Sequence, residues 1–392
     1  MRGGMPAEPG ALPSAFWIGA RSAPQMGEAR DEMKAMDVET SGSRAEPTWT
    51  DEATWTHKRR TAATYAFGIP LVLFVLYCAL LAAAPAHTDV SDVAGLRLAI
   101  LDKGRAASAA GVLKGANILT AATVLDGGAP FVVSLAAPSQ KPAPMAGALE
   151  IDPFDDVSLE DLLVVRRGVF GGRYNVILNK FATIPGHALL VTASFELQSS
   201  EMTALDLDAL HRVAEASHAL GFFNSGPVSG ASQLHRHFQL VPEIIDGART
   251  PIRAAVDNLP EEPWFLSSTA PFRPAVRDLW AFAGISHGVL RLPPRATFHI
   301  DFEFHGSYGD ALLRAFIALS DHVGLAPEED FNLLVADDFM LLARRESESF
   351  AGIHVNALGF AGYLLAHDAA AFEKVLASGP LDVLRHVAPL PG

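Results

Sequence analysis

From residue 174 onward the spacing of apolar positions switches repeatedly between the two-residue period of a strand and the wider period of a helix. Tyr174-Asn175-Val176-Ile177-Leu178-Asn179-Lys180-Phe181 and His187-Ala188-Leu189-Leu190-Val191-Thr192 are β-rich runs separated by Pro185-Gly186, which predicts a hairpin. A helix is predicted from about Asp206 to Leu220, where Leu207, Leu210, Val213 and Ala214 form an apolar stripe. The alternation then returns to period two across His235-Arg236-His237-Phe238-Gln239-Leu240. As a strand, this stretch points His235, His237 and Gln239 to one face and Arg236, Phe238 and Leu240 to the other. Toward the C-terminus, Phe331 to Arg345 reads as two strands joined at Asp337-Asp338. Nearer the start, Val93 to Ile100 looks helical and Phe131 to Leu135 looks like a strand, with a turn at Asp126-Gly127-Gly128 and a Pro- and Ala-rich loop from Ala136 to Ala148 carrying Lys141.

Residues 1 to about 60 carry no period of either kind and read as a disordered tail. After His57-Lys58-Arg59-Arg60 comes an uncharged run, Ala66 to Ala84. At about 1.5 Å per residue such a helix could cross a bilayer core of about 30 Å. The basic flank would hold the N-terminus in the cytosol. The expected placement is therefore membrane-associated with a single pass through 66–84, or organellar if the small residues Ala82 to Ala86 end a cleaved leader. A buried core helix is the third reading of the same run.

Composition narrows the field of functions. The 392 residues carry a formal charge of −14, which argues against a nucleic-acid partner, because binding a phosphate backbone needs a basic surface. A single cysteine, Cys78, excludes an intramolecular disulfide framework and a cysteine-rich zinc site. The length allows two or three domains.

The densest chemistry lies between Gly221 and Pro242. Asn224-Ser225-Gly226-Pro227-Val228-Ser229-Gly230-Ala231-Ser232 is a loop of small residues whose backbone N–H groups could approach an anion, and it leads into the paired histidines. A neutral imidazole can attack phosphorus directly. A competing set, His299, Asp301, Glu303 and His305, would share one face of a strand. Four ligands along one strand span roughly 20 Å at about 3.3 Å per residue, too far to meet at one ion. That stretch is read as a polar outer face, and no metal site is assigned.

Asn-Ser-Gly-Pro-x-Ser-Gly-Ala-Ser-x-x-His-x-His-x-Gln, here Asn224 to Gln239, resembles the active-site signature of the ATP adenylyltransferase (diadenosine tetraphosphate phosphorylase) family of the histidine-triad and galactose-1-phosphate uridylyltransferase superfamily. Leu178-Asn179-Lys180-Phe181, Pro185 to Thr192, His287 to Pro293 and Val355 to Gly362 resemble further blocks of that family. The likeness covers about residues 90 to 392 and stops at the apolar run. It implies an α+β fold of two related histidine-triad-like halves with antiparallel sheets and flanking helices, 88–248 and 249–392, preceded by the tail at 1–62 and the apolar helix at 63–87.

By resemblance, His237 is the nucleophile, with Gln239, Ser232 and His235 completing the catalytic set. Lys180, Asn224, Ser225, Gly226, Gly230 and Ala231 would hold the nucleotide, and His187 would be structural. Arg249, Arg253, Arg273 and Arg277 are further cations available near a polyphosphate, most of them expected to be solvated. The implied reaction is reversible cleavage of diadenosine tetraphosphate by phosphate to ATP and ADP through an adenylyl-histidine. No covalent cofactor is implied; magnesium or another divalent cation would come with the nucleotide. Expected partners are diadenosine polyphosphates, ATP, ADP and phosphate. A histidine-triad hydrolase and an ADP-sulfurylase-type adenylyltransferase lie close to this reading. The reading from another class is a membrane-tethered nucleotide-binding protein without turnover.

Overall fold

Helix α1, Leu96–Ala109, opens the described part of the chain, which in this computed structural model comprises residues 95–137, 152–154, 161–169, 172–260, 274–295 and 307–391. The tail, the apolar run at 66–84, Lys141, Arg273 and the stretch from His299 to His305 lie outside those residues. The membrane placement expected from 66–84 is corrected: among the described residues no helix is long and apolar enough to cross a membrane. The longest described helix has 16 residues, about 24 Å at 1.5 Å per residue, and only one side of it is buried.

Strands β1 (Ile118–Asp126) and β2 (Ala129–Ala136) form a hairpin at the turn expected at Asp126-Gly127-Gly128; the sequence pattern does not predict the strand before that turn. Next come β3 (Leu163–Val169), β4 (Tyr174–Leu178) and β5 (Ala188–Thr192), paired antiparallel in that order. Helix α2 runs from Ala204 to Ser217 and is followed directly by β6, Ala219–Asn224. The helix is therefore shorter at its C-terminal end than its apolar stripe predicts. His218 takes a left-handed conformation, φ 51°, which stops the helix, and the β-favouring Phe222-Phe223 pair then extends the chain.

Beyond β6 lie a short turn of 3₁₀ helix, Pro227–Ser229, and β7, His237–Pro242. The ribbon β8 (Ile244–Ile245) and β9 (Ala248–Arg249) and the one-turn helix α3 (Arg253–Val256) lead to β10, His287–Arg291. Helix α4 (Tyr308–Val323) precedes the hairpin β11 (Phe331–Val335) and β12 (Phe339–Arg344), which turns at Asp337-Asp338 as the pattern predicts. The chain ends in the ribbon β13 (Ser349–Phe350) and β14 (Ile353–His354), helix α5 (Ala357–Phe360), strand β15 (Tyr363–Ala366) and helices α6 (Ala369–Ser378) and α7 (Pro380–Val387).

The result is a mixed helix and sheet fold with antiparallel pairing almost throughout. One sheet of eight strands runs β10-β12-β11-β6-β7-β5-β4-β3, and a smaller one runs β1-β2-β15. Among the described residues the exception to the antiparallel pairing is β15, which lies parallel to β2. Both sheets draw strands from both sides of residue 248, so the two segments share their hydrogen-bond ladders.

Among the described residues two large cores flank the large sheet, with a small third cluster at Ile177, Leu189 and Val191. Phe222 and Phe223, adjacent in β6, point to opposite faces and each joins a different core. On the face of Phe223, α2 buries Leu207, Leu210 and Val213 completely, each contributing about 1.5–3 kcal/mol. Thr203 caps α2 in a reciprocal pair with Asp206, and Ser307 does the same for α4 with Asp310. The face of Phe222 packs against residues of β2, β15, α6 and α7, and the candidate site opens on this side.

Candidate active site

Strand β7 sits between β5 and β6, so its side chains alternate between two buried layers. Phe238 and Leu240 enter the helix-covered core, while His237 and Gln239 line a cavity of about 720 Å³ on the other face. His187, Asn179, Lys180, Gly230, Ser232, Gln233 and Asn356 line the same cavity. The geometry thus brings together His237, Gln239, Ser232, Lys180 and Gly230 among the residues singled out from the sequence.

The state of His237 follows from one bond. Its Nδ1 lies 2.8 Å from the carbonyl oxygen of His235. A carbonyl can only accept, so Nδ1 carries the proton and Nε2 is the basic nitrogen. Gln239 is oriented in a comparable way. Its Oε1 accepts from Nε2–H of His187 at 2.9 Å, which fixes the carboxamide so that its NH₂ is the end left to donate. Burial lowers the His187 pKa to about 4, the Gln239 bond opposing the shift, so the ring is neutral near pH 7.

His235 does not line this cavity. Its Nδ1 lies 2.6 Å from Asp152 Oδ2 and its Nε2 lies 2.9 Å from the carbonyl oxygen of Thr192. Both nitrogens therefore point at oxygen acceptors, and the side chain anchors the start of β7. Phe154 closes over the pair, its ring centroid 5.5 Å from that of His235 and 5.4 Å from that of His237. Arg236 points away from the cavity, as the alternation predicts, and is fully buried with Asp206 Oδ2 at 3.0 Å.

The small-residue loop is organised differently from a bare anion cradle. The N–H groups of Val228 and Ser229 donate to Asp330 Oδ2 at 2.6 and 3.2 Å. The Ala231 N–H donates to the Gly226 carbonyl, and the Gly226 N–H to Ser229 Oγ. Asn224, Ser225, Gly226 and Ala231 do not line the large cavity; Ser225, Gly226, Ala231 and Ser232 border a smaller one of about 200 Å³. Asn224 Oδ1 accepts from Asn332 Nδ2 and from the Ala357 N–H. Its Nδ2 is buried with no partner among the described residues. The loop packs tightly on the C-terminal segment: a Cβ on Gly230, which has φ +86°, would lie 2.9 Å from Asn356 Cβ.

Among the arginines considered from the sequence, Arg249 pairs with Asp257, and Arg253 is buried against Glu243, Asp337 and Asp338. Arg253 is thus held by carboxylates and is not solvated. Neither these two nor Arg277 lines the cavity.

Three contributors were not singled out from the sequence. Lys114 lines the cavity beside Lys180 because the Lys114 N–H donates to the Lys180 carbonyl at 2.7 Å. Asp152 holds His235, as described. Gln198 touches the backbone of His237. Each lies far from the signature in sequence, and only the antiparallel pairing of Leu197 with His235 brings the Gln198 segment alongside.

Comparison with known proteins fits this geometry. Residues 93–258 match the family described as the Ap4A phosphorylase N-terminal domain, and residues 284–389 match the ATP adenylyltransferase C-terminal domain. Diadenosine 5',5'''-P1,P4-tetraphosphate phosphorylase 2 of Saccharomyces cerevisiae is 30% identical over 245 residues, which cover 57% of this chain and 71% of the relative. The fold is similar to that of yeast Ap4A phosphorylase Apa2, with a TM-score of 0.60 at 22% identity, covering 75% of this chain and 94% of the other. The yeast protein in complex with Ap4A gives a TM-score of 0.58 at 24% identity, covering 76% and 99%.

Proposed function

This chain belongs to the family of diadenosine tetraphosphate phosphorylases and ATP adenylyltransferases, and from that premise we propose that it cleaves diadenosine tetraphosphate with orthophosphate to ATP and ADP, reversibly. The observation that carries the reading is the bond from His237 Nδ1–H to the His235 carbonyl, which directs the Nε2 lone pair to the side of the ring that a nucleophile must use.

The step is a double displacement. Nε2 attacks the α-phosphorus of one adenosine, the bond from that phosphorus to its bridging oxygen breaks, and ATP leaves with the electron pair. An oxygen of orthophosphate then attacks the adenylyl phosphorus, the phosphorus–nitrogen bond breaks, and the pair returns to Nε2 as ADP departs. Splitting one displacement into two is what a covalent nucleophile contributes. The Gln239 NH₂ and the Ser232 hydroxyl donate to nonbridging oxygens, where negative charge grows. Lys180, with Lys114 beside it, faces the phosphate chain. Asn224 ties the loop to Asn332 and Ala357 through its Oδ1, and Gly230 lets the loop pack against Asn356 at the cavity wall. Ser225, Gly226 and Ala231 keep the loop in shape, while His235 steadies the strand.

A divalent cation, magnesium or another, would arrive with the polyphosphate and be held by its oxygens, since among the described residues no three His, Cys, Asp or Glu side chains gather to hold a metal. Residues 88–248 and 249–392 are read as related halves. The support is a repeated order of strand, helix, strand and strand, β5-α2-β6-β7 and β10-α4-β11-β12, meeting at the β6 and β11 pair.

The test uses the full chain with diadenosine tetraphosphate, with and without phosphate. ATP and ADP appearing only with phosphate supports the phosphorylase. AMP formed without phosphate selects a hydrolase, adenylylsulfate serving better as donor selects the sulfurylase chemistry, and nucleotide binding without any product selects a binding protein.

A further inference from the structure

Strands β6 and β7 are paired from Ala219 with Pro242 as far as Phe222 with Gln239. Continued in the same register, the ladder would join Phe223 to Phe238 and then Asn224 to His237, but it stops at Phe222. On its other edge β6 stays paired with β11, Phe223 and Asn224 lying opposite Leu333 and Asn332, while its pairing with β7 ends and the two strands separate where His237 sits.

The gap is filled by one side chain. Gln198 is 4% exposed, and its carboxamide stands where the missing rung would be. Its Oε1 accepts from the His237 N–H at 2.8 Å, and its Nε2 donates to the Asn224 carbonyl at 2.7 Å and to the His237 carbonyl at 3.2 Å. Both amide hydrogens and the amide oxygen are used. The group imitates a peptide unit: it takes a backbone hydrogen bond from one strand and passes one to the other. Without it, the His237 N–H and the Asn224 and His237 carbonyls would lose these hydrogen bonds in a buried setting.

We infer that Gln198 is the positioning residue that sets where the His237 ring stands in the cavity, acting as an inserted rung between the nucleophile and the first residue of the signature loop. The inference rests on the reading of His237 as nucleophile. The other side of His237 is fixed by β5 through Val191, so the Gln198 carboxamide is the element that decides how far β7 lies from Asn224. The same spreading lets residues 225–234 leave the sheet and return as the loop that faces the nucleotide. Moving the backbone of a nucleophile by about 1 Å can cost on the order of 10² in rate, so the effect belongs in turnover and not in binding.

The test compares full-length Gln198→Glu and Gln198→Leu with wild type by steady-state kinetics on diadenosine tetraphosphate and by rapid-quench trapping of radiolabelled adenylate on the protein. Gln198→Glu keeps the acceptor for the His237 N–H and loses both donors; Gln198→Leu loses all three bonds. The expected result is a fall in kcat of roughly tenfold for Glu and roughly a hundredfold for Leu, the same fall in the rate of labelling, and a KM within about twofold of wild type. Leu319→Ala, on the buried face of α4, lowers the melting temperature and should keep the wild-type kcat, which separates positioning from general loosening. Wild-type kcat in Gln198→Glu, or a loss matched by Leu319→Ala at equal melting temperature, overturns the inference. Labelling of His237→Ala equal to wild type would instead overturn the nucleophile on which it rests.

Discussion

His187 and Gln239 are joined at 2.9 Å between Nε2 and Oε1, and the direction of that bond decides which end of the Gln239 carboxamide meets the substrate. Gln239→Ala removes one donor aimed at the reacting phosphoryl group and should lower kcat on the order of 10²–10³ with little change in KM. Gln239→Glu should be at least as damaging, because a carboxylate would face phosphate oxygens of like charge. Steady-state rates for both variants check this, and a Gln239→Glu enzyme of wild-type rate would count against the donor role.

His237→Ala should abolish turnover while nucleotide binding persists. No neighbour can replace Nε2: the His235 ring is committed to Asp152 and Thr192, and the His187 ring is committed to Gln239. Loss of a nucleophile typically removes several orders of magnitude in rate. Trapped adenylate on wild type and none on His237→Ala is the expected pattern, with calorimetry showing that the variant still binds.

Burial also makes the fold sensitive to acid. His187 and His211 are both held near pKa 4 by desolvation, below the ordinary 6.5. Between those values the unfolded chain binds the protons that the folded protein refuses, so stability falls as pH drops from about 6.5 to about 4. Each ring can account for on the order of 3 kcal/mol across that window. Urea midpoints measured from pH 7 to pH 4 should fall, and His187→Asn should flatten the slope.

At the cavity, Lys114 and Lys180 are the paired cations of an otherwise acidic chain. Lys114→Ala and Lys180→Ala should each raise KM for diadenosine tetraphosphate roughly tenfold, the size of one charge-assisted bond to phosphate. Because the lysines are exposed, the wild-type KM should rise with salt and the double variant should respond less. KM measured from 50 mM to 500 mM salt, about the range that screens exposed charges, decides between this and a solvated pair.

In Gly226 the constraint is space and not φ. A Cβ there would lie 2.2 Å from Asp330 Oδ1, and Asp330 is the carboxylate that receives the Val228 and Ser229 N–H groups. Gly226→Ala should cost about 1–3 kcal/mol in stability and lower kcat as the loop shifts. Thermal melts and rates of the same preparation check both effects.

The residues legible in the sequence are those whose chemistry is local. His237 and Gln239 could be placed on one cavity face because a strand's period is two, and the Asp337-Asp338 turn announced itself by its residue types. The same period wrongly put His235 beside them, since β7 begins only at His237 and His235 turns toward a carboxylate 83 positions upstream. Gln198, 39 positions from His237, looks like any polar residue between elements; its role exists only once β6 and β7 part. Asp330 was hidden for a like reason, because nothing in the small-residue loop says that its amides already have an acceptor elsewhere in the chain. The end of α2 was misplaced by a few residues because a left-handed histidine carries no apolar signal.

The rungs between Phe222 and Leu334 and between Asn224 and Asn332 lie at the middle of the large sheet. Cleaving the chain between 258 and 274 and separating the pieces would turn that middle into two raw margins, each with a row of unsatisfied amides and carbonyls and a flank of phenylalanine or leucine. Such margins template new pairing. The amino-terminal piece would be expected to seek a second copy of itself along β6, since an antiparallel seam is the one that identical strands make about a twofold axis. The seam between β6 and β11 is therefore one that the amino-terminal piece alone would have to replace by pairing with a copy of itself.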